Sequence, residues 1–504
     1  MTRAEDIYKN APCTMIFCIF AAMFFQISLI MRHLSIILML CAVTLFGCKK
    51  TYTIVCKSSN EDWGTVTGGG EYRDGETAVL TATPTGGYYF LSWQDGDVSN
   101  PRIITVSGDA TYTAKFADTP FGVFDGEPLH VSGKICTDQV WPDMGLDVDY
   151  IIDGTLYIGC NATIRVMPGV TIMFTGADGN IEVVENGALN MSGTENNPIV
   201  LCGPTNQQQP GSWGRVVVNS SRLDNTFAWV EFRNGGSSDD LHGGVVYVRG
   251  SLSMMCCTID GSNGSGLVTE GECALPIFGY NIIQHCTHPW VTTSFPVLYK
   301  GEKAGNELYY DDMFNQYVYV DLDHYEFNES ITLNSIGLAW FYFPHGFYFD
   351  GNGTLTLNDT RIFVGEGKQL RVGKNLSFKA YGSDTYLAPL SIDKPWEGMV
   401  FESERSDNII KGYKFYVCGA WDQDNNDAFC LKITENAKLQ LRNCIFGPAR
   451  KYGVWIENIE TWGNVIHSGN QISPIGIPYL VHIEHGGTFN GHTYADNTNL
   501  NQLP

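Results

Sequence analysis

Basic charge is scarce in this chain. Against 54 Asp and Glu stand 31 Lys and Arg, a formal net charge of −23 over 504 residues. Such a surface repels a phosphate backbone, which excludes nucleic acid as a partner. It also disfavours polyanionic glycans unless calcium bridges them. Paired cysteines are missing: none of the 15 Cys falls in a CxxC, and the Cys/His spacing of a zinc site is lacking. Helical periodicity is nearly absent, which argues against a helical bundle. The apolar run Leu34–Phe46 falls short of the roughly 20 residues of a membrane-spanning helix, and a mis-assigned start codon explains the apolar stretch Ile16–Ile30 better than a membrane helix does.

What the chain has is a text written twice. Pro210-Gly-Ser-Trp213, Val217, Ser220, Arg222, Asp224, Asn225, Phe232 and Gly236 reappear as Pro395, Trp396, Val400, Ser403, Arg405, Asp407, Asn408, Phe415 and Gly419. Trp213 to Trp396 is a shift of 396 − 213 = 183 residues, and Gly236 to Gly419 keeps it. Gly266 and Glu270 then meet Gly453 and Glu457 after a small insertion. Solenoid units run roughly 20–45 residues, so each copy holds about eight coils. Inside a copy, short apolar runs such as Gly154–Ile158, Gly169–Phe174 and Ile181–Val184 alternate with Gly, Asn and Asp. That is the pattern of strands with one buried face. Together with the long repeat it predicts an all-β solenoid.

The N-terminus reads as a targeting segment over 1–47, with Met31 as the true start. After Met31-Arg32-His33 and the apolar run, Leu45-Phe46-Gly47-Cys48 resembles a bacterial lipobox. The resemblance implies cleavage before Cys48 and lipid on its thiol and amine. A plain leader with an incidental Cys is the competing reading. Lys49 is not an acidic retention residue, so the expected location is the bacterial outer membrane, lipid-anchored, with surface exposure left open. Residues 51–118 carry Gly64-Thr-Val-Thr-Gly68, Val79–Pro84, Gly87–Phe90, Trp93, Asp95-Gly96 and Thr111–Phe116. This order resembles a divergent internalin-type B repeat, which implies a small β-rich, grasp-like spacer without catalysis. The expected division is 48–118 for anchor and B-repeat module, 119–127 for linker and 128–504 for solenoid. The copies fall at about 128–310 and 311–490, and a partial third begins at 491–504.

Leu156 through Phe174, Asn197-Pro-Ile-Val-Leu201 and Trp213 resemble coils of right-handed parallel β-helix proteins. Those families include secreted pectin-degrading enzymes and many non-catalytic surface proteins. The length of 128–504 predicts roughly 16 coils, about 75 Å of rod at ~4.8 Å per strand. Val217 and Val400 are expected to point inward. Trp213 and Trp396 are expected at coil corners, and the aromatic stretch Leu338–Phe349 inside. Cys160, Cys202, Cys257, Cys418, Cys430 and Cys444 sit in strand-like runs and are expected as buried thiols.

Three places could carry chemistry. In Gly419–Asp427, Asp422, Asp424, Asn426 and Asp427 alternate as calcium ligands would. The Gly and distant Glu of an EF-hand are missing, so a solvated turn competes and Ca2+ is the only cofactor considered. A lyase needs a base beside its proton; Arg249, Arg233 and Lys432 are candidates, with nothing in the text to assemble them. Asp350-Gly-Asn-Gly resembles the entry coil of pectin hydrolases, but that family's downstream motifs are absent. Trp421 and Trp462 lie in polar surroundings and could stack on sugar rings. The sequence reading is therefore a monomeric, non-catalytic lipoprotein presenting a β-helix surface to a glycan or protein, with adhesion as its role. A polysaccharide lyase or glycoside hydrolase is the alternative. If Cys48 is the anchor, Cys48→Ala abolishes incorporation of labelled fatty acid; undiminished labelling of that variant would refute the assignment.

Overall fold

The computed structural model describes residues 50–85, 88–97, 99–117, 127–204, 209–310, 315–419, 428–449, 451–472 and 479–504. The leader with Met31 and Cys48, and most of the linker, lie outside them. The chain splits into two compact units. The first comprises residues up to Lys57, Thr67–Leu80 and Ile103–Tyr112. In it, strands Thr51–Ser58 and Gly70–Arg73 pair antiparallel, Thr51 opposite Arg73. Ile54, Ala78, Leu80 and Val106 form its buried side. Gly68 sits at φ +100, and a Cβ there would stand 2.1 Å from the Val79 carbonyl oxygen. Only glycine fits both demands.

The second unit holds Ser58–Val66, Thr81–Arg102 and everything from Thr113 onward. Trp93 is buried and donates its Nε1–H to the Ser99 carbonyl at 2.8 Å. Ser99 Oγ in turn donates to the Ser132 carbonyl at 3.1 Å, in the first solenoid strand, Leu129–Ile135. From there the chain winds a right-handed parallel β-helix of about 13 turns. The only helices among the described residues are the short Pro296–Tyr299 and the 3-10 turn Ile459–Asn464.

One column of side chains records the winding. Leu156 stacks on Ile181, then Val216, Val246, Leu267 and Trp290. It continues through Val318, Phe341, Ile362, Leu387 and Phe415 to Phe446. From Leu156 to Phe446 these side chains are buried. Each contributes about 1.5–3 kcal/mol on leaving water. Parallel neighbours satisfy every inner strand edge, so the interior needs no polar residue. A seven-stranded sheet from Gln139–Trp141 to Glu302–Ala304 flanks the early coils. An eight-stranded sheet from His324–Glu326 to Thr498–Leu500 flanks the late ones.

Corners use asparagine. Asn225 Oδ1 accepts from Leu189 N at 2.9 Å, and Asn408 Oδ1 from Phe378 N at 2.8 Å. Their Nδ2 groups donate to the carbonyls of Arg222 and Arg405. Trp213 and Trp396 each donate to a carbonyl at 2.8 Å, those of Arg233 and Tyr416. The doubled text thus folds into doubled local structure. Its two copies are turned about the tube. The strand after Trp213, Val216–Val218, joins the column sheet, whereas the one after Trp396, Gly398–Phe401, joins the eight-stranded sheet.

Four expectations are corrected. The turns number about 13, not 16, because some coils carry long loops. Corner bonds span 24 or 25 residues in regular coils but 35 or 36 around Gly203–Gly214. Val217 and Val400 point out of the tube, since their neighbours Val216, Val218, Met399 and Phe401 fill the core and the side alternates along a strand. They are nonetheless dry, in small outer clusters. Cys160 is bonded to Cys136 rather than a free buried thiol. It turns a corner at φ 55, where Cys136 lies one rung below. Cys202 is half-buried; Cys257, Cys418, Cys430 and Cys444 are buried as expected. Burial pushes the Cys257 and Cys444 thiols up to about 12. In the aromatic stretch Phe341, Phe343, Phe347 and Phe349 face in, and Leu338 is exposed. Residues Thr498–Leu500 fold back antiparallel onto Tyr479–His485, covering a strand edge.

Asn408→Ala should lower stability by ~1–3 kcal/mol by leaving buried backbone groups unpaired. Asn358→Ala, in the exposed Asn334–Asn358 pair, should change it by under ~1 kcal/mol. Equal losses in chemical denaturation would contradict the buried corner ladder.

Candidate functional site

The outward residues of the late sheet build a cleft of about 630 Å³. Its floor is the row Arg371, Val400, Lys432 and Trp455, stacked rung on rung. Glu402, Glu457 and Glu484 stand beside them. Gly419 and Ala428, the two ends of the acidic loop, line one side. Asp422, Asp424, Asn426, Asp427 and Trp421 themselves lie outside the described residues. Among the described residues no group of three or more His, Cys, Asp or Glu could hold a metal.

Lys432 is the hub. Its Nζ lies 3.1 Å from Glu484 Oε2 and 3.8 Å from Glu457 Oε1, and 5.0 Å from the Trp455 ring centre. Trp455 Nε1 donates to the same Glu484 oxygen at 2.8 Å. Burial pushes the Glu484 carboxyl up, but the hydrogen bonds from Trp455 and Lys432 outweigh it and leave it low. Glu457 accepts from the backbone N–H of Glu435 at 2.6 Å. Arg371 is paired with Glu402. Each cation is therefore answered by a carboxylate, and Glu397 adds one more negative charge.

The structure does not bring the three candidate bases together. Arg233 is exposed and paired with Glu231 on its own strand. Arg249 sits in the first copy, 2.7 Å from Glu270, whose hydrogen bond raises its already high affinity for protons. Only Lys432 reaches the late cleft, where it is ion-paired with two carboxylates. Trp462 is buried in the 3-10 turn and donates to the Pro504 carbonyl at 3.3 Å, so it is no stacking platform. Trp455, which the sequence reading passed over, is the aromatic at the cleft. Its signal was the spacing of the second copy: Glu457 answers Glu270, and Trp455 lies two residues before it.

Comparison with known families agrees with this geometry. Residues 137–251 match the model of the pectate-lyase like beta helix domain. That match lies within the early coils of the solenoid. Residues 54–120 match the divergent InlB B-repeat domain, ahead of that β-helix. No curated protein and no solved structure matches the chain. The β-helix match points to a carbohydrate-related role. No helix among the described residues is long and apolar enough to cross a membrane.

Because its folded-state affinity for protons is low, Glu484 contributes stability that is fully present above the ordinary carboxylate range, about pH 4.3. That contribution is lost as the pH falls through its lower folded value. The difference in stability between the parent chain and Glu484→Gln should therefore shrink on acidification below about pH 4.3. A difference that stays constant from pH 7 to pH 3 would show that the carboxylate is not held low.

Proposed function

We propose that this protein is a non-catalytic cell-envelope lipoprotein whose β-helix binds a hydroxyl-rich, uncharged glycan in the cleft around Lys432 and Trp455. The observation that carries the reading is the charge pairing inside the cleft. Lys432, Arg371, Glu402, Glu457 and Glu484 offer adjacent donors and acceptors. Vicinal sugar hydroxyls both donate and accept, so they can bridge such pairs. A polyuronate finds no unanswered cation there and meets the carboxylate of Glu397, besides a net charge of −23. Catalysis lacks support from the same groups. A β-elimination needs a base free to take a proton, and Lys432 is ion-paired with Glu484 and Glu457. A hydrolase needs a protonated acid, and Glu484 is held ionised. The lipid anchor at Cys48, outer-membrane placement and adhesion belong to this reading and rest on the sequence.

The test is one preparation of the full chain in two assays. Applied to an array of neutral and acidic glycans, it should retain neutral members, and Lys432→Ala should weaken retention at least tenfold. Incubated with pectins, alginate and neutral polysaccharides, it should release neither unsaturated products nor new reducing ends. Turnover of any of them would replace the binding reading with the polysaccharide lyase or glycoside hydrolase alternative.

A further inference from the structure

We infer that the first copy carries a second glycan site of the same class, at Tyr247 and Arg249, so that one chain binds two ligands. The inference rests on the glycan reading of the late cleft and extends it. A cleft of about 490 Å³ opens on the outer face of the column sheet. Its floor is Val217, the counterpart of Val400, and the two are equally buried at 8%. One side is formed by Ser237, Ser238, Asp240 and His242, just after Gly236, while Gly419, the counterpart of Gly236, lines the late cleft.

The same three chemical parts meet at both clefts: an aromatic ring, a cation over its face, and a carboxylate that binds both, which lines the late cleft and stands behind Tyr247 and Arg249 at the early one. In the late cleft these are Trp455, Lys432 at 5.0 Å from the ring centre, and Glu484. In the early cleft Arg249 lies 4.9 Å from the Tyr247 ring centre and 2.7 Å from Glu270 Oε2. The Tyr247 hydroxyl donates to that same oxygen. The parts are not simple copies of one another. The position of Tyr247 on its rung is taken by Lys432 in the second copy, and that of Val268 by Trp455. In the early cleft one rung supplies both ring and charge, Tyr247 and Arg249, whereas in the late cleft two successive rungs supply them, yet the assembled group is the same. A surface ion pair contributes little to stability, which gives no reason to rebuild it around an aromatic ring in a cleft. A shared ligand does.

The early cleft has a further mark of an unfilled contact. His242, in its wall, is held through Nε2 by Asp321 at 3.0 Å, while its Nδ1 is buried without a partner in the protein. The turn of the copies about the tube sets the two clefts on different sheets. Two separate glycan chains, rather than one straight chain along a single face, then fit the arrangement.

The probe is a set of neutral hexasaccharides of glucose, xylose, mannose and galactose, titrated against the full chain by calorimetry and native mass spectrometry. The best binder should saturate at two equivalents. Arg249→Ala and Lys432→Ala should each reduce this to one, and the double variant should lose binding at least tenfold. Tyr247→Phe keeps the packing and removes the donor to Glu270, so it should weaken one site while leaving the melting temperature unchanged. Saturation at one equivalent, or an Arg249→Ala chain still binding two, would overturn the second site alone. Absence of binding to every hexasaccharide would overturn the glycan reading and this inference together.

Discussion

The structure depends on one constraint: apolar side chains must stack like on like along the tube axis while the backbone pairs in parallel. The column from Leu156 to Phe446 meets it at every rung. Parallel pairing leaves no inner edge unsatisfied, and burial of Val, Ile, Leu and Phe supplies the favourable free energy. Loops then cost little, because they leave the column at the corners. That is why a coil can lengthen around Gly203–Gly214 without disturbing the stack.

The same constraint decides what the outside can do. Strand residues alternate, so every inward column has an outward one beside it. Most of the outward row is wet, but Val217–Tyr247–Val268–Val291 and Val400–Phe429–Tyr452–Trp455 form dry outer clusters. A loop shelters the first row: Leu241 packs on it, and its carbonyl accepts from Ser265 Oγ at 2.6 Å. A dry floor beside ionised groups is a place where charges and dipoles act strongly. The scaffold thus produces its clefts as a by-product of the rule that builds its core. One such cleft lies in each copy of the repeated text.

The fold class was legible because period-two runs and a long internal repeat leave few alternatives. Corners were legible as well, since Asn and Gly there adopt left-handed backbone, as Asn161, Asn186 and Gly154 do. Facing was not. Val216-Val217-Val218 is apolar throughout, so nothing in the text marks the middle residue as the outward one. Trp462 stands among Glu, Thr, Gly and Asn, yet a 3-10 turn and the chain's last carbonyl enclose it. Cys160 reads as a strand thiol until the winding sets it above Cys136. The candidate site hid for the same reason. Lys432, Trp455 and Glu484 are far apart in sequence, and only the rung spacing, lengthened by loops, makes them neighbours.

A crystal structure of the chain tests the central claim most directly. The account predicts parallel strands with Val216, Val246 and Leu267 stacked inside at ~4.8 Å steps. It places Val217 and Val400 outside, on different sheets. Antiparallel sheets packed face to face beyond residue 128, or Val217 in one core with Val216 outside it, would contradict it.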